Sequence, residues 1–295
     1  MTTALLHRVE TRMIDVLSAS SKSDNTVLRA VHHHLRAGGS RVRACLCIDA
    51  SIALNVSEVD AVTLATICEL LHNASLIQDD LIDRASPRRG VPSVWAAFDD
   101  ATAVCAGDLM LASAYFLVAE LEHTGFLRTA LQLVHKSAEK VILSQGAENG
   151  PSPLSMKEYE MLAKGKSGSL LSLPLELSLL LSGQSHHLET AQRVAAQFAV
   201  AYQMSDDLDD YDQDREAGSL NAVSVALDCG AGDLTEARGM VRDRAIELLE
   251  SSIQEADALP QNCAGTLTMH AHTMLTAFRD QDVYRIHSKG IAQHA

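Results

Sequence analysis

The chain is 295 residues long, with 24 lysines and arginines against 38 aspartates and glutamates, a formal net charge of −14. Apolar residues make up 47% and aromatic ones 4%, with 16 glycines and 6 prolines; that is too few turn formers and strand-favouring rings for an all-β fold. It is also too little positive charge for a protein that binds nucleic acid by neutralising phosphates, so an anionic ligand is expected to be held by local devices, bound cations among them, rather than by the overall field.

The first segment, MTTALLHRVETRMIDVL, mixes charged and apolar residues at helical spacing and lacks the uninterrupted apolar run of a signal peptide. His32, His33 and His34 follow. Adjacent helical residues point in different directions and cannot converge on one ion, so a solvated helix face is expected there. Apolar residues then recur with a 3.6 period from Val59 through Leu71, and the pattern ends in CELLHNASLIQDDLID. Asp79 and Asp83 stand four residues apart on one face of that helix, roughly 6 Å apart at Cβ. Asp80 is turned about 100° away and can only support them. Negative charge at a helix C-terminus opposes the macrodipole, so the pair calls for a cation between them.

The stretch Asp83–Ser93 (DRASPRRGVPS) reads as a loop carrying Arg88 and Arg89, whose guanidinium forks match phosphate oxygens, with Trp95 packing behind it. Helices are predicted over Leu109–Leu121 and Leu127–Leu143, then a loop over Gly146–Ser155 (GAENGPSPLS). Lys164 and Lys166 lie in a glycine-rich turn ahead of LLSLPLELSLLL. Lys166 is a candidate point-charge phosphate binder. The apolar run Leu170–Ser182 is broken by Pro174 and Glu176 and is too short to span a bilayer.

After His186 and His187, read as loop residues, a helix over Leu188–Met204 ends in a second acidic cluster, Asp206, Asp207, Asp209 and Asp210. Asp206 and Asp210 again share a face. Tyr211–Leu220 (YDQDREAGSL) reads as a loop in which Asp212 and Asp214 extend the acidity as solvated charges. Tyr202 is read either as a cavity-lining residue or as an ordinary core contact. Leu234–Ile253 is a further helix, and the segment from Pro260, with His270, His272 and His287, carries no signal. The six cysteines show no CxxC pair and no zinc spacing, and they read as buried thiols of a cytoplasmic protein. The expectation is an all-α chain, a single domain over 1–295, built as a bundle of about ten or more helices without a transmembrane segment.

Two acidic clusters, each closing an apolar helix, are hard to explain as solvated faces. All-oxygen sites suit hard cations, and Mg²⁺ commonly bridges one or two carboxylates to substrate phosphates. A Mg²⁺ clamp on a diphosphate is therefore the chemistry these residues point to.

The ordered set SLIQDDLIDRASPRRGVPSVW, AGDLM (Ala106–Met110), GKSGSLLSLPLEL and YQMSDDLDD, between Arg36 and Asp214, resembles the trans-isoprenyl diphosphate synthases, the polyprenyl synthetase family. Within it, the short-chain geranylgeranyl and farnesyl diphosphate synthases are the most similar. The resemblance implies helices around a deep central cavity, a homodimer, and condensation of an allylic diphosphate with isopentenyl diphosphate. It makes Asp79 and Asp83 the first metal pair and Asp206 and Asp210 holders of a further ion across the cavity, in a set of about three Mg²⁺. Arg88, Lys166 and Gln203 would line the allylic diphosphate; Arg43, His72 and Arg89 would bind isopentenyl diphosphate.

Two departures stand out. The family's Gly-Gly-Lys-Arg appears as Gly38, Gly39, Ser40 and Arg41, and the lysine-bearing stretch after the second acidic motif appears as DREAGSLNAV. Arg41 and Arg215 are candidates to compensate. Two other readings therefore stand beside condensation: an enzyme of the same fold that ionises one prenyl diphosphate, and a non-catalytic subunit of a heteromeric synthase. Product length would be set by a floor of Ala74 and Ser75 one turn below Asp79, Leu71 two turns below, and Tyr115 or Phe116 deeper. These small residues predict geranylgeranyl diphosphate.

Overall fold

The computed structural model describes residues 2–18, 25–148 and 155–279. It is all-α as expected: beside one two-stranded hairpin, the described regular elements are helices. The chain falls into two compact units. The first gathers the described residues between 2 and 136 together with Leu173–Ser185; the second gathers Ser137–Ser172 and the described residues from His186 onward.

In the first unit α1 (Thr2–Ser18), α2 (Thr26–Arg36), α3 (Val42–Ala53) and α4 (Glu58–Ile82) precede a hairpin of β1 (Pro87–Arg88) and β2 (Val91–Pro92). Then come α5 (Val94–Ala97), α6 (Asp100–Val118) and the start of α7 (Leu127–Glu148). The long helix α4 is the axis of this unit, packed against α1, α3 and α6. Leu64, Ile67, Leu70, Leu71, Ala74 and Ile77 are all buried on it, as expected of a helix surrounded by protein. Its start is fixed by Ser57, which accepts the Asp60 amide at 3.1 Å. Asp60 is itself buried and accepts from the Glu122 amide at 3.0 Å and His123 Nδ1 at 2.6 Å. Gly107 of α6 faces α4, where a Cβ would stand 3.4 Å from the Gln78 side chain, an ordinary contact distance.

By length and mean hydropathy α6 could cross a membrane, yet half of the relevant stretch is buried inside the fold, as in a core helix. Phe116 stands on its outer side, 55% exposed.

The second unit continues with α8 (Met156–Ala163), a π-helical turn (Lys164–Gly168) and the first residues of α9 (Ser169–Leu181). After these come α10 (Leu188–Asp209), α11 (Tyr211–Ala217), α12 (Ala222–Asp228), α13 (Leu234–Ala256) and α14 (Gly265–Arg279). The small residues Ala191, Ala195, Ala199 and Ala201 are buried on α10, which packs along α13, while α12 and α14 pack on α13. The π-helical turn also rests on α10: a Cβ on Gly168 would lie 3.3 Å from the Ala196 Cα.

Two loop expectations change. Tyr211–Leu220 is not a loop: α11 fills most of it and ends at Gly218 with φ 71°, the left-handed cap that glycine permits. Of Gly146–Ser155, the first residues complete α7, and 149–154 lie outside the described residues. His287 also lies outside them.

Candidate active site

At the end of α4 the helical hydrogen bonding persists through the final turn, with the Asp83 amide donating to the Asp79 carbonyl at 2.9 Å. Asp79, half-buried, and Asp83, exposed, thus sit one turn apart on one face, as their spacing predicted. Asp80 points inward and is buried. It accepts Arg88 Nε at 3.0 and 3.1 Å on its two oxygens and Arg88 Nη2 at 2.5 Å. Burial pushes the Asp80 carboxyl above its ordinary value, and the Arg88 guanidinium opposes that shift.

The hairpin carrying both arginines turns through Arg89 and Gly90, with φ of 53° and 79°. A two-residue turn with both φ positive is the type I′ geometry that matches strand twist, and Gly90 adopts it without steric cost. Arg88 therefore reaches Asp80, while Arg89 donates to the Gly38 carbonyl. Gly39, at φ +145°, leaves the room this needs, since a Cβ there would lie 2.7 Å from Arg89 Nη1. Trp95 packs behind the loop as expected, donating to the Ala85 carbonyl at 3.0 Å with Arg84 over its ring at 5.2 Å.

His72 is buried among cations. Burial, then Arg43 and Arg89, push its pKa well down, so it is a neutral hydrogen-bonding group rather than a positive charge. His34, expected on a solvated face, is instead buried and donates from Nε2 to Asn73 Oδ1 at 3.0 Å. The period of α2 explains this, because Ala30, Val31, His34 and Leu35 form its buried side. His33 bonds the Pro92 carbonyl at 2.7 Å. Arg41, considered as a compensating cation, is buried and occupied, 3.7 Å from Glu69 and 3.4 Å from Glu10.

Burial, then Arg89, lower the His34 pKa to about 3, while the bond to Asn73 opposes them. An unfolded histidine titrates near 6.5, so between that pH and 3 the unfolded chain binds a proton that the folded one refuses. Stability therefore falls as the pH drops through this window, and His34 alone accounts for about 2 kcal/mol between pH 7 and pH 5. Urea unfolding at the two pH values checks this: a His34→Gln variant should lose correspondingly less stability on acidification.

At the end of α10 the same closure recurs, with the Asp210 amide on the Asp206 carbonyl at 2.9 Å. Burial, then the neighbouring carboxylates of Asp207, Asp210 and Asp209, push the Asp206 carboxyl up to about 8. Asp207 turns away and is the residue that sequence reasoning left without a role. It accepts Tyr159 Oη at 2.8 Å, Gln203 Nε2 at 2.9 Å and the Ala222 amide at 2.6 Å. Asn221 donates to the Asp207 carbonyl and to Asp214, each at 2.8 Å, so Asp214 is not simply solvated. Gln203, half-buried, is oriented by this bond to Asp207. Lys166 is half-buried in the π-helical turn, while Lys164 pairs with Glu160 at 3.7 Å. Arg215 is exposed on α11, and the Tyr202 ring lies 6.3 Å from Phe198.

Among the described residues no group of three His, Cys, Asp or Glu side chains is placed to hold a metal ion. Each helix end offers two carboxylates, an all-oxygen set of the kind that Mg²⁺ uses together with waters and substrate phosphates. Burial and then the crowding of carboxylates raise Asp206, and a divalent cation beside them would offset both, so the residues fit such an ion. Of the floor residues, Leu71 and Ala74 are buried, and half-buried Ser75 donates to the His72 carbonyl at 2.8 Å. The hydroxyl of half-buried Tyr115 lies 3.4 Å from His135 Nδ1.

The sequence profile of the polyprenyl synthetase family matches residues 24–221. The chain is 32% identical over 196 residues to the all-trans-nonaprenyl-diphosphate synthase (geranyl-diphosphate specific) of Rhodobacter capsulatus. It is 31% identical over 176 residues to the (2E,6E)-farnesyl diphosphate synthase of Mycobacterium bovis. These matches cover 66% and 58% of this chain but only 60% and 48% of the relatives' own length. The fold is similar to the geranylgeranyl pyrophosphate synthetase of the archaeon Geoglobus acetivorans, with a TM-score of 0.82 at 20% identity. That alignment covers 90% of this chain and 96% of the other.

Proposed function

Because the chain belongs to the polyprenyl synthetase family, we propose that it joins an allylic diphosphate to isopentenyl diphosphate with loss of pyrophosphate. The observation that carries this reading is the pair of acidic helix ends, each closing its last turn at 2.9 Å with two aspartates on one face. Asp79 and Asp83 would hold Mg²⁺ at the end of α4, and Asp206 and Asp210 at the end of α10. Bound Mg²⁺ supplies positive charge to the departing pyrophosphate. Arg88, aligned by Asp80, and Lys166 donate to the allylic diphosphate and stabilise the charge that develops as its C–O bond breaks. Arg43, Arg89 and neutral His72 bind isopentenyl diphosphate. Apolar side chains exclude water from the allylic cation until the second substrate's double bond attacks.

The product we propose is geranylgeranyl diphosphate, supported by the small side chain of Ala74, about one turn below Asp79. Ala74→Phe should shift the product toward shorter chains, read by chromatography of the dephosphorylated products. An unchanged product spectrum would sink the floor assignment.

The test of the activity itself is Mg²⁺-dependent pyrophosphate release from farnesyl diphosphate, with and without isopentenyl diphosphate. Release that requires both substrates supports condensation. Release from the allylic substrate alone supports the second reading, ionisation of a single prenyl diphosphate, which Ser40 and the lysine-free DREAGSLNAV segment favour. No release in either mixture rejects both.

A further inference from the structure

The first turn of α3 is unusual. Its N-cap position is held by Arg41 at φ 54°, a left-handed conformation, and no side chain of the flanking segment caps the exposed amides. A helix start normally carries Ser, Thr, Asp or Asn at that place to accept an orphan N–H. Here the acceptor comes from another helix. Glu69, on α4 and buried, takes the Ala44 amide on Oε1 at 3.0 Å. Its other oxygen lies 3.7 Å from Arg41 Nη1 and 3.5 Å from Asn73 Nδ2. Asn73, one turn along α4, in turn accepts His34 of α2.

One buried carboxylate therefore joins three helices at the segment Gly38–Arg43. Arg89 binds the Gly38 carbonyl in that segment, and His72 adjoins Asn73 on α4. A buried anion is costly unless paired and hydrogen-bonded. Glu69 is both, by groups whose position matters to the diphosphate-binding arginines. Nothing in this cluster needs Glu69 to touch a ligand.

We propose that Glu69 is a positioning residue for the isopentenyl diphosphate side: it caps α3 from α4 and clamps Arg41, and so fixes Arg43 and Arg89 relative to His72. The proposal deepens the condensation reading and rests on it for the identity of the ligand. It does not act on the allylic side, because Arg88 is oriented separately by Asp80.

Glu69→Gln keeps the shape and can still accept the Ala44 amide, but it removes the charge that holds Arg41. The expected result is a KM for isopentenyl diphosphate raised roughly tenfold, since misplacement of a binding group by a fraction of an ångström is enough for that. The KM for the allylic diphosphate should stay within twofold. Hydrogen exchange should also quicken at amides of 38–44, read on the full chain without substrate. Equal rises in both KM values, or no change in either with wild-type exchange, would overturn the proposal. If Glu69→Gln does not fold, Arg41→Gln removes the other half of the clamp, and the same split between the two KM values decides. A wild-type chain that fails to condense, beside a variant with loosened exchange at 38–44, defeats the catalytic reading and leaves the clamp standing. A wild-type chain that condenses beside a variant with unchanged KM values does the opposite.

Discussion

Asp79→Asn is expected to lower kcat on the order of 10³-fold while leaving the fold intact. Asparagine matches aspartate in shape, and the closing bond from the Asp83 amide to the Asp79 carbonyl uses backbone atoms only, so that bond is kept. What is lost is half the negative charge available to a cation on that face. The carboxylate of Asp83 is exposed and cannot by itself replace a paired donor set. The measurement is single-turnover release of pyrophosphate at saturating Mg²⁺, with thermal unfolding as the control. A loss smaller than tenfold would mean that the α4 aspartates do not hold the ion at the reacting diphosphate.

Asp207→Ala should act the other way, through stability. The side chain accepts three hydrogen bonds in a buried setting, from the Tyr159 hydroxyl, the Gln203 amide and the Ala222 backbone. Truncation strands the buried Tyr159 and Ala222 donors, while half-buried Gln203 can turn to water, and buried groups left unpaired cost about 1–3 kcal/mol each. A net destabilisation of about 4 kcal/mol is expected, which lowers Tm by roughly 10 °C for a chain of this size. Calorimetry checks it. Retention of the wild-type Tm would show that Asp207 is not the anchor joining α8, α10 and α12. The burial that makes Asp207 an anchor also pushes its carboxyl up to about 6, despite the three donors.

Much of the site was legible because its key relations are local. Asp79 with Asp83, and Asp206 with Asp210, are fixed by helical spacing, and the period of the preceding apolar residues fixed the helices themselves. Arg88 and Arg89 were visible as phosphate donors from residue type. Their divergence was not, since it depends on a type I′ turn that the Arg89–Gly90 pair adopts between two very short strands.

What escaped were residues whose partners are far away in sequence. Glu69 reads as one polar position in an apolar helix, and its role depends on Ala44 and Arg41. Asp207 reads as the inner member of an acidic cluster, and its role depends on Tyr159 and Ala222. His34 and α11 are different, because the local signals were present. The i, i+4 spacing from Ala30 to His34 marks the buried side of α2, and Gly218 is a plain helix stop. The density of charge in both segments outweighed those signals and suggested solvent.

The π-helical turn at Lys164–Gly168 has a geometric consequence for the lysine it contains. A turn closed from i to i+5 takes in one residue more than an α-helical turn, so the azimuth of every later residue slips by about 100°. A helical wheel drawn without interruption from Met156 to Leu181 would assign Lys166 the wrong direction and rotate the leucines of α9 by the same angle. Gly165 and Gly168 make the extra residue tolerable, since a Cβ on the first would collide with Ser144 and one on the second would crowd Ala196. A chain one residue shorter here could run on as regular α-helix with α9 in the same phase, so what the extra residue changes is the direction of Lys166 and its neighbours within the turn.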